Sequence, residues 1–134
     1  MTDLTALIAA AKAARANAHA PYSRFRVGAA VRDEAGNIHA GANVENAAYP
    51  EGLCAEAAAI AAMVTSGARH IQEIAVLADG PALCAPCGGC RQRIREFAGP
   101  DTVIHLCNPS GLQHSVTLGE LLPLAFGPNN LGTS

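Results

Sequence analysis

Four side chains in this sequence are of types that act together in hydrolysis: Cys54 and Glu56 in Cys54-Ala55-Glu56, and Cys87 and Cys90 in Pro86-Cys87-Gly88-Gly89-Cys90. Three thiolates hold a zinc ion while its fourth tetrahedral position stays open to water. A carboxylate beside that water carries its protons. Cys87 and Cys90 are three residues apart at a helix start signalled by Pro86, a spacing that puts both sulfurs on one helix face. Gly88 and Gly89 keep bulk away from them. Glu56 follows Cys54 by two, off the face of its neighbour, so it suits the water better than the ligand set. With Cys54 also at a helix start, two helix N-termini would turn partial positive charge toward the thiolates.

A C-x2-C pair alone has many structural uses, and the remaining cysteines bear on which use this is. Cys84, Cys87 and Cys90 are evenly spaced, as in iron–sulfur proteins, but that pattern needs Cys and Pro where this chain has Ile94 and Arg95. Cys84 as a fourth ligand would close the site and make it structural; the competing reading is a buried free thiol. Cys107 reads as core, and the five histidines show no metal spacing.

These motifs need a scaffold. At 134 residues, 50% hydrophobic and 15% charged, the chain fits one domain over 1–134 with a substantial core. Apolar spacing predicts a helix over 4–19, with His19 in its last turn and Pro21 stopping it. A hairpin follows, with strands over 25–33 and 38–42 and turn chemistry at Glu34 to Asn37. The polar stretch Asn43 to Pro50 reads as a loop that is either a solvated connector, the commoner case for such a stretch by itself, or a site of ligand contact. A helix from about 52 to 65, a strand over 71–77, a helix over 86–97, strands over 103–107 and 114–117, and a short segment over 118–122 capped by Thr117 complete the order. Such an order implies one mixed sheet with helices on both faces.

Composition narrows the partners. A net charge of −2 and the absence of Trp disfavour nucleic acid. Arg91, Arg93 and Arg95 read as one helix face rather than a nucleic-acid stripe. No apolar run is long enough to span a bilayer, and the N-terminus does not read as a signal peptide. Free cysteines without a secretion signal fit the cytoplasm.

The chain resembles the small, homotetrameric, zinc-dependent cytidine deaminases over nearly its whole length. The residues that carry the likeness are Pro21-Tyr22-Ser23 with Phe25, Val27 to Ala30, Asn43 to Tyr49, Cys54-Ala55-Glu56, Pro86 to Gln92, Leu121-Leu122-Pro123 and Phe126-Gly127-Pro128. The resemblance implies an α/β fold of three layers, α/β/α, around one mixed five-stranded sheet. It implies one Zn2+ per subunit on Cys54, Cys87 and Cys90, and hydrolytic deamination of cytidine and 2′-deoxycytidine in pyrimidine salvage, with Glu56 as proton shuttle. It also implies that Asn43 and Glu45 hold the ribose 3′-hydroxyl, that Phe25 lines the base pocket, that Ala55 contacts substrate, and that Tyr49 and Phe126 reach sites in neighbouring subunits of the tetramer.

One position departs from that family's pattern. Small cytidine deaminases usually carry Arg directly after the catalytic Glu, where it offsets thiolate charge; here that position is Ala57. Arg91, next to Cys90, is the nearest candidate replacement in sequence. The alternatives are a deaminase of a cytosine nucleoside antibiotic such as blasticidin S, whose group also lacks that Arg, and a structural zinc module that binds a partner without chemistry.

Overall fold

The computed structural model describes residues 3–133; Met1, Thr2 and Ser134, the ends of the expected 1–134 span, lie outside the described residues. Its elements are α1 (Leu4–Ala16), β1 (Val27–Asp33), β2 (Ile38–Ala42), α2 (Ala55–Thr65), β3 (Ile71–Ala78), α3 (Gly88–Phe97), β4 (Val103–Asn108), β5 (Gly111–Thr117) and α4 (Leu118–Leu121), with 3₁₀ turns at Tyr49–Glu51 and Pro128–Leu131. The strands form one five-stranded mixed sheet in the order β2-β1-β3-β4-β5. β1 runs antiparallel to both β2 and β3, β3 is parallel to β4, and β4 is antiparallel to β5.

The two-residue period of the strands sorts the core into two layers. Ala29, Val31, Ile74, Val76, Ile104 and Leu106 pack with Ala59, Ile60 and Met63 of α2 and Ile94 of α3. On the opposite face Ala30, Ala75, Leu77 and Cys107 pack with Leu7 and Ala11 of α1. Each fully buried Leu or Ile contributes about 1.5–3 kcal/mol. Two glycines set how closely the helices approach. A Cβ at Gly28 would lie 2.0 Å from the Ala11 carbonyl oxygen, and one at Gly41 would lie 2.4 Å from the Ala59 amide nitrogen. Gly41→Ala would therefore push α2 away from the sheet, and Cys54 and Glu56 with it.

The element boundaries depart from the sequence reading where long-range pairing outcompetes local propensity. α1 ends at Ala16 rather than His19. His19 instead bridges Val44 in parallel, its N–H donating to the Asn43 carbonyl at 3.0 Å and its carbonyl accepting from the Glu45 N–H at 2.7 Å. α2 starts at Ala55 rather than near 52, because Leu53 exchanges backbone hydrogen bonds with Val44 at 2.8 and 2.9 Å. β5 begins at Gly111, three residues earlier than expected, extending the β4–β5 hairpin to the turn itself. Thr117 caps α4 as expected, in a reciprocal pair with Glu120. His105 lies in a buried polar chain, with Nδ1 at 2.9 Å from Ser115 Oγ and Nε2 at 2.9 Å from Glu73, which also meets Arg32.

Candidate active site

The topology brings the two cysteine motifs together. β2 and β3 are each antiparallel to β1, so they run in the same direction. α2 follows β2 and α3 follows β3, and both helices pack on the same face of the sheet. Their N-termini therefore open at the same end of the molecule. Cys54 is the N-cap of α2, Cys87 is the N-cap of α3, and Cys90 lies in the first turn of α3. The three sulfurs all lie within 4.8 Å of one another, with Cys54 Sγ to Cys87 Sγ at 4.0 Å. Tetrahedral zinc–thiolate bonds of about 2.3 Å put sulfurs about 3.8 Å apart, so the cluster has the dimensions of a zinc site.

Its electrostatics fit a cation as well. Burial pushes the Cys54 thiol up, and burial, then the Glu56 charge, pushes Cys90 up further. Cys87 is held below the ordinary thiol value, chiefly by the backbone N–H of Cys90 at the open end of α3. Three thiolates in such a space need a positive ion among them. Cys84 is half-buried and lines the adjoining cleft, but it is not part of the sulfur group. Cys107 is buried in the α1-side core, and burial pushes its thiol up to about 11.

The cleft has a volume of about 420 Å³, within the range that takes small ligands. Val27, Val76, Cys54, Cys87 and Glu56 are among its lining, and the part bounded by the buried Val76 and Glu56 is its inner end. Glu56 is 5% exposed, and burial holds its carboxyl above the ordinary carboxylate value. A buried carboxyl with a raised pKa is of the kind that serves as a proton carrier.

Phe25, Asn43, Glu45, Tyr49 and Ala55 also line this cleft. Asn43 is tied to the chain opposite, with Oδ1 accepting from the Val27 N–H and Nδ2 donating to the Phe25 carbonyl, both at 2.9 Å. A side chain thus takes the place of a strand partner, which is why β1 begins at Val27 rather than Phe25. The Glu45 carboxylate accepts from the N–H groups of Tyr22 and Ser23 at 2.9 and 3.1 Å and from the Ser23 hydroxyl. Those bonds, the hydroxyl foremost, hold its carboxyl below the ordinary value. They also clamp the turn that contains Arg24 at φ +60°, a conformation a non-glycine residue adopts only when its surroundings impose it. The Tyr22 and Tyr49 rings meet edge-on, 6.0 Å apart. Tyr49 thus borders its own chain's cleft, while 75% of it is exposed.

Phe126 is outside the cleft lining, its carbonyl accepting from Gln92 on α3 at 2.8 Å. Arg91 requires a correction: its Nε donates to the Pro86 carbonyl at 2.7 Å and Nη1 to the Leu121 carbonyl at 3.0 Å, so it braces the start of α3 against α4. It follows Cys90 by one position, which on a helix turns it away from the sulfur. The guanidinium that meets Cys90 belongs to Arg93, with Nη1 at 3.6 Å from Sγ. Arg93 is three residues after Cys90, a same-face spacing already visible in the sequence. Arg95 donates to the Ala98 carbonyl and to Asn129 Oδ1.

Residues 1–106 match the family model described as the cytidine and deoxycytidylate deaminase zinc-binding region. The chain belongs to this deaminase family. Like the other members it binds zinc, one ion per subunit, and the Cys54, Cys87 and Cys90 cluster has the chemistry to hold it. The chain is 43% identical over 129 residues to the cytidine deaminase of Sporosarcina psychrophila, covering 96% of this chain and 95% of that one. It is 40% identical to the cytidine deaminase of Mycobacterium tuberculosis over 119 residues, 88% of this chain and 85% of that one. The crystal structure of cytidine deaminase from Burkholderia pseudomallei superposes with a TM-score of 0.86 at 44% identity, covering 94% of this chain and all of that one. The five-stranded mixed sheet with flanking helices is therefore the family's fold. No helix among the described residues is long and apolar enough to cross a membrane.

Proposed function

We propose that this chain deaminates cytidine and 2′-deoxycytidine hydrolytically to uridine and 2′-deoxyuridine, releasing ammonia, as a step of pyrimidine salvage in the cytoplasm. The observation that carries this reading is the buried Glu56 beside three mutually close sulfurs at the inner end of a nucleoside-sized cleft. Cys54, Cys87 and Cys90 would hold the zinc, which when bound lowers the pKa of water into the neutral range. Glu56 does the proton work. Its carboxylate takes one proton from water as the oxygen adds to C4 and gives it to N3. It then takes the second proton from the added hydroxyl and gives it to the amino nitrogen. The C4–N bond breaks, ammonia leaves and the C4 carbonyl forms, so both water protons are accounted for.

Phe25 and Ala55 border the base, and Asn43 and Glu45 the ribose. Both polar residues retain capacity beyond their bonds within the chain: Asn43 has a second amide hydrogen, and Glu45 has further lone pairs for a hydroxyl donor. Residues 1–134 act as one catalytic domain, assembled as a homotetramer. Tyr49 (75% exposed), Phe126 (58%) and Leu131 (76%) are large apolar side chains that a neighbouring subunit would cover. In that assembly Phe126 completes a neighbour's cleft.

The test is an ultraviolet assay of the zinc-loaded protein on cytidine, deoxycytidine and blasticidin S side by side. Turnover of the two nucleosides well above blasticidin S supports the reading. Turnover of blasticidin S alone favours the antibiotic deaminase, and zinc binding with no turnover favours the structural module.

A further inference from the structure

Cys90 is fully buried, so water cannot solvate its thiolate. Three thiolates and a divalent ion sum to one negative charge, and Glu56 adds a second. Buried charge of one sign is costly unless a counter-charge or hydrogen-bond donor faces it. Ala57 offers neither. Arg91 spends its donors on the Pro86 and Leu121 carbonyls, and Arg95 on Ala98 and Asn129. Arg93 alone among these arginines reaches sulfur, with Nη1 at 3.6 Å from Cys90 Sγ. It reaches past Gly89, where a Cβ would stand 3.2 Å from the same Nη1.

We propose that Arg93 is the positioning residue of the metal centre: its guanidinium donates to the Cys90 sulfur, offsets the thiolate charge and so does the work that Ala57 cannot. A guanidinium suits this role because it stays charged and is more weakly hydrated than an ammonium. Partners of metal ligands tune the metal through the ligand, and here the partner tunes a sulfur.

The proposal rests on the zinc reading of the three-thiol cluster, and cobalt(II) substitution tests the two separately. A hydrogen bond to a thiolate lowers the energy of its lone pairs, which raises the energy of the sulfur-to-cobalt charge-transfer band. Arg93→Ala should therefore shift that band to longer wavelength, and Arg93→Lys should recover part of the shift. Arg91→Ala should leave it in place. Arg93 is exposed on α3, so these substitutions spare the core. A band unmoved in Arg93→Ala, or moved instead in Arg91→Ala, overturns the role of Arg93 while the metal site stands. A wild-type protein that takes up no cobalt overturns both.

Discussion

The inner end of the cleft and its mouth are built from different kinds of chain. The inner end is made by the starts of two helices anchored on one sheet face, and it brings three sulfurs and a buried carboxylate together within a single subunit. The mouth is made by the 43–53 segment and the turn around Ser23, held by side-chain bonds from Asn43 and Glu45 to backbone, and its aromatic residues stand in solvent. The difference separates chemistry from capture. Metal binding draws on the sheet and two helices, whereas the proposed substrate site adds a clamped loop and, in the proposed tetramer, a cover from a neighbouring chain.

The largest effect belongs to the inner end. Cys87→Ala should remove zinc and turnover together, by metal analysis and the cytidine assay, whereas Cys84→Ser should keep both. Zinc lost from Cys84→Ser would mean that the cluster extends to a fourth sulfur and that the two regions are not distinct. Next comes the mouth. Phe126→Ala should keep its zinc but lose about 10- to 100-fold in kcat/KM, the scale of a buried interfacial aromatic. A full rate from that variant, or from an active monomer in sedimentation, would mean that the cleft is complete within one chain.

The smallest effect is the response of the mouth to pH. The Glu45 carboxyl is depressed, chiefly by the Ser23 hydroxyl, from an ordinary value of 4.5. The unfolded carboxyl therefore takes up its proton first on acidification. Its contribution is fully present above 4.5 and is lost as pH falls through the lower folded value. Hydrogen exchange at the Tyr22 and Ser23 amides, corrected for intrinsic rates, should show protection persisting below 4.5 before it fades. In Glu45→Gln, protection should be weak throughout. Equal protection in both proteins would remove Glu45 from its clamping role.

The same division explains how much of the molecule was legible in sequence. Cysteine spacing and apolar strands are written locally, so the two cysteine motifs, the mixed sheet and the capping role of Thr117 can all be read from short windows. The mouth is written in pairings between distant segments. His19 leaves its helix to meet Val44, and Asn43 substitutes for a strand partner of Val27. Neither exchange has a signature in its own neighbourhood. The arginines of α3 are an intermediate case. Adjacency in sequence pointed to Arg91, but helical geometry favours the residue three positions after Cys90, and the contact is made by Arg93.

The most direct test of the account is Glu56→Gln, assayed for zinc content and cytidine turnover in the same preparation. Glutamine preserves the shape of the side chain but cannot carry the protons. The protein should retain about one zinc per chain, since its three sulfurs are untouched, and lose about 10²- to 10⁴-fold in kcat. Turnover near the wild-type rate with zinc in place would contradict the account, because the inner end would then be working without its proton carrier.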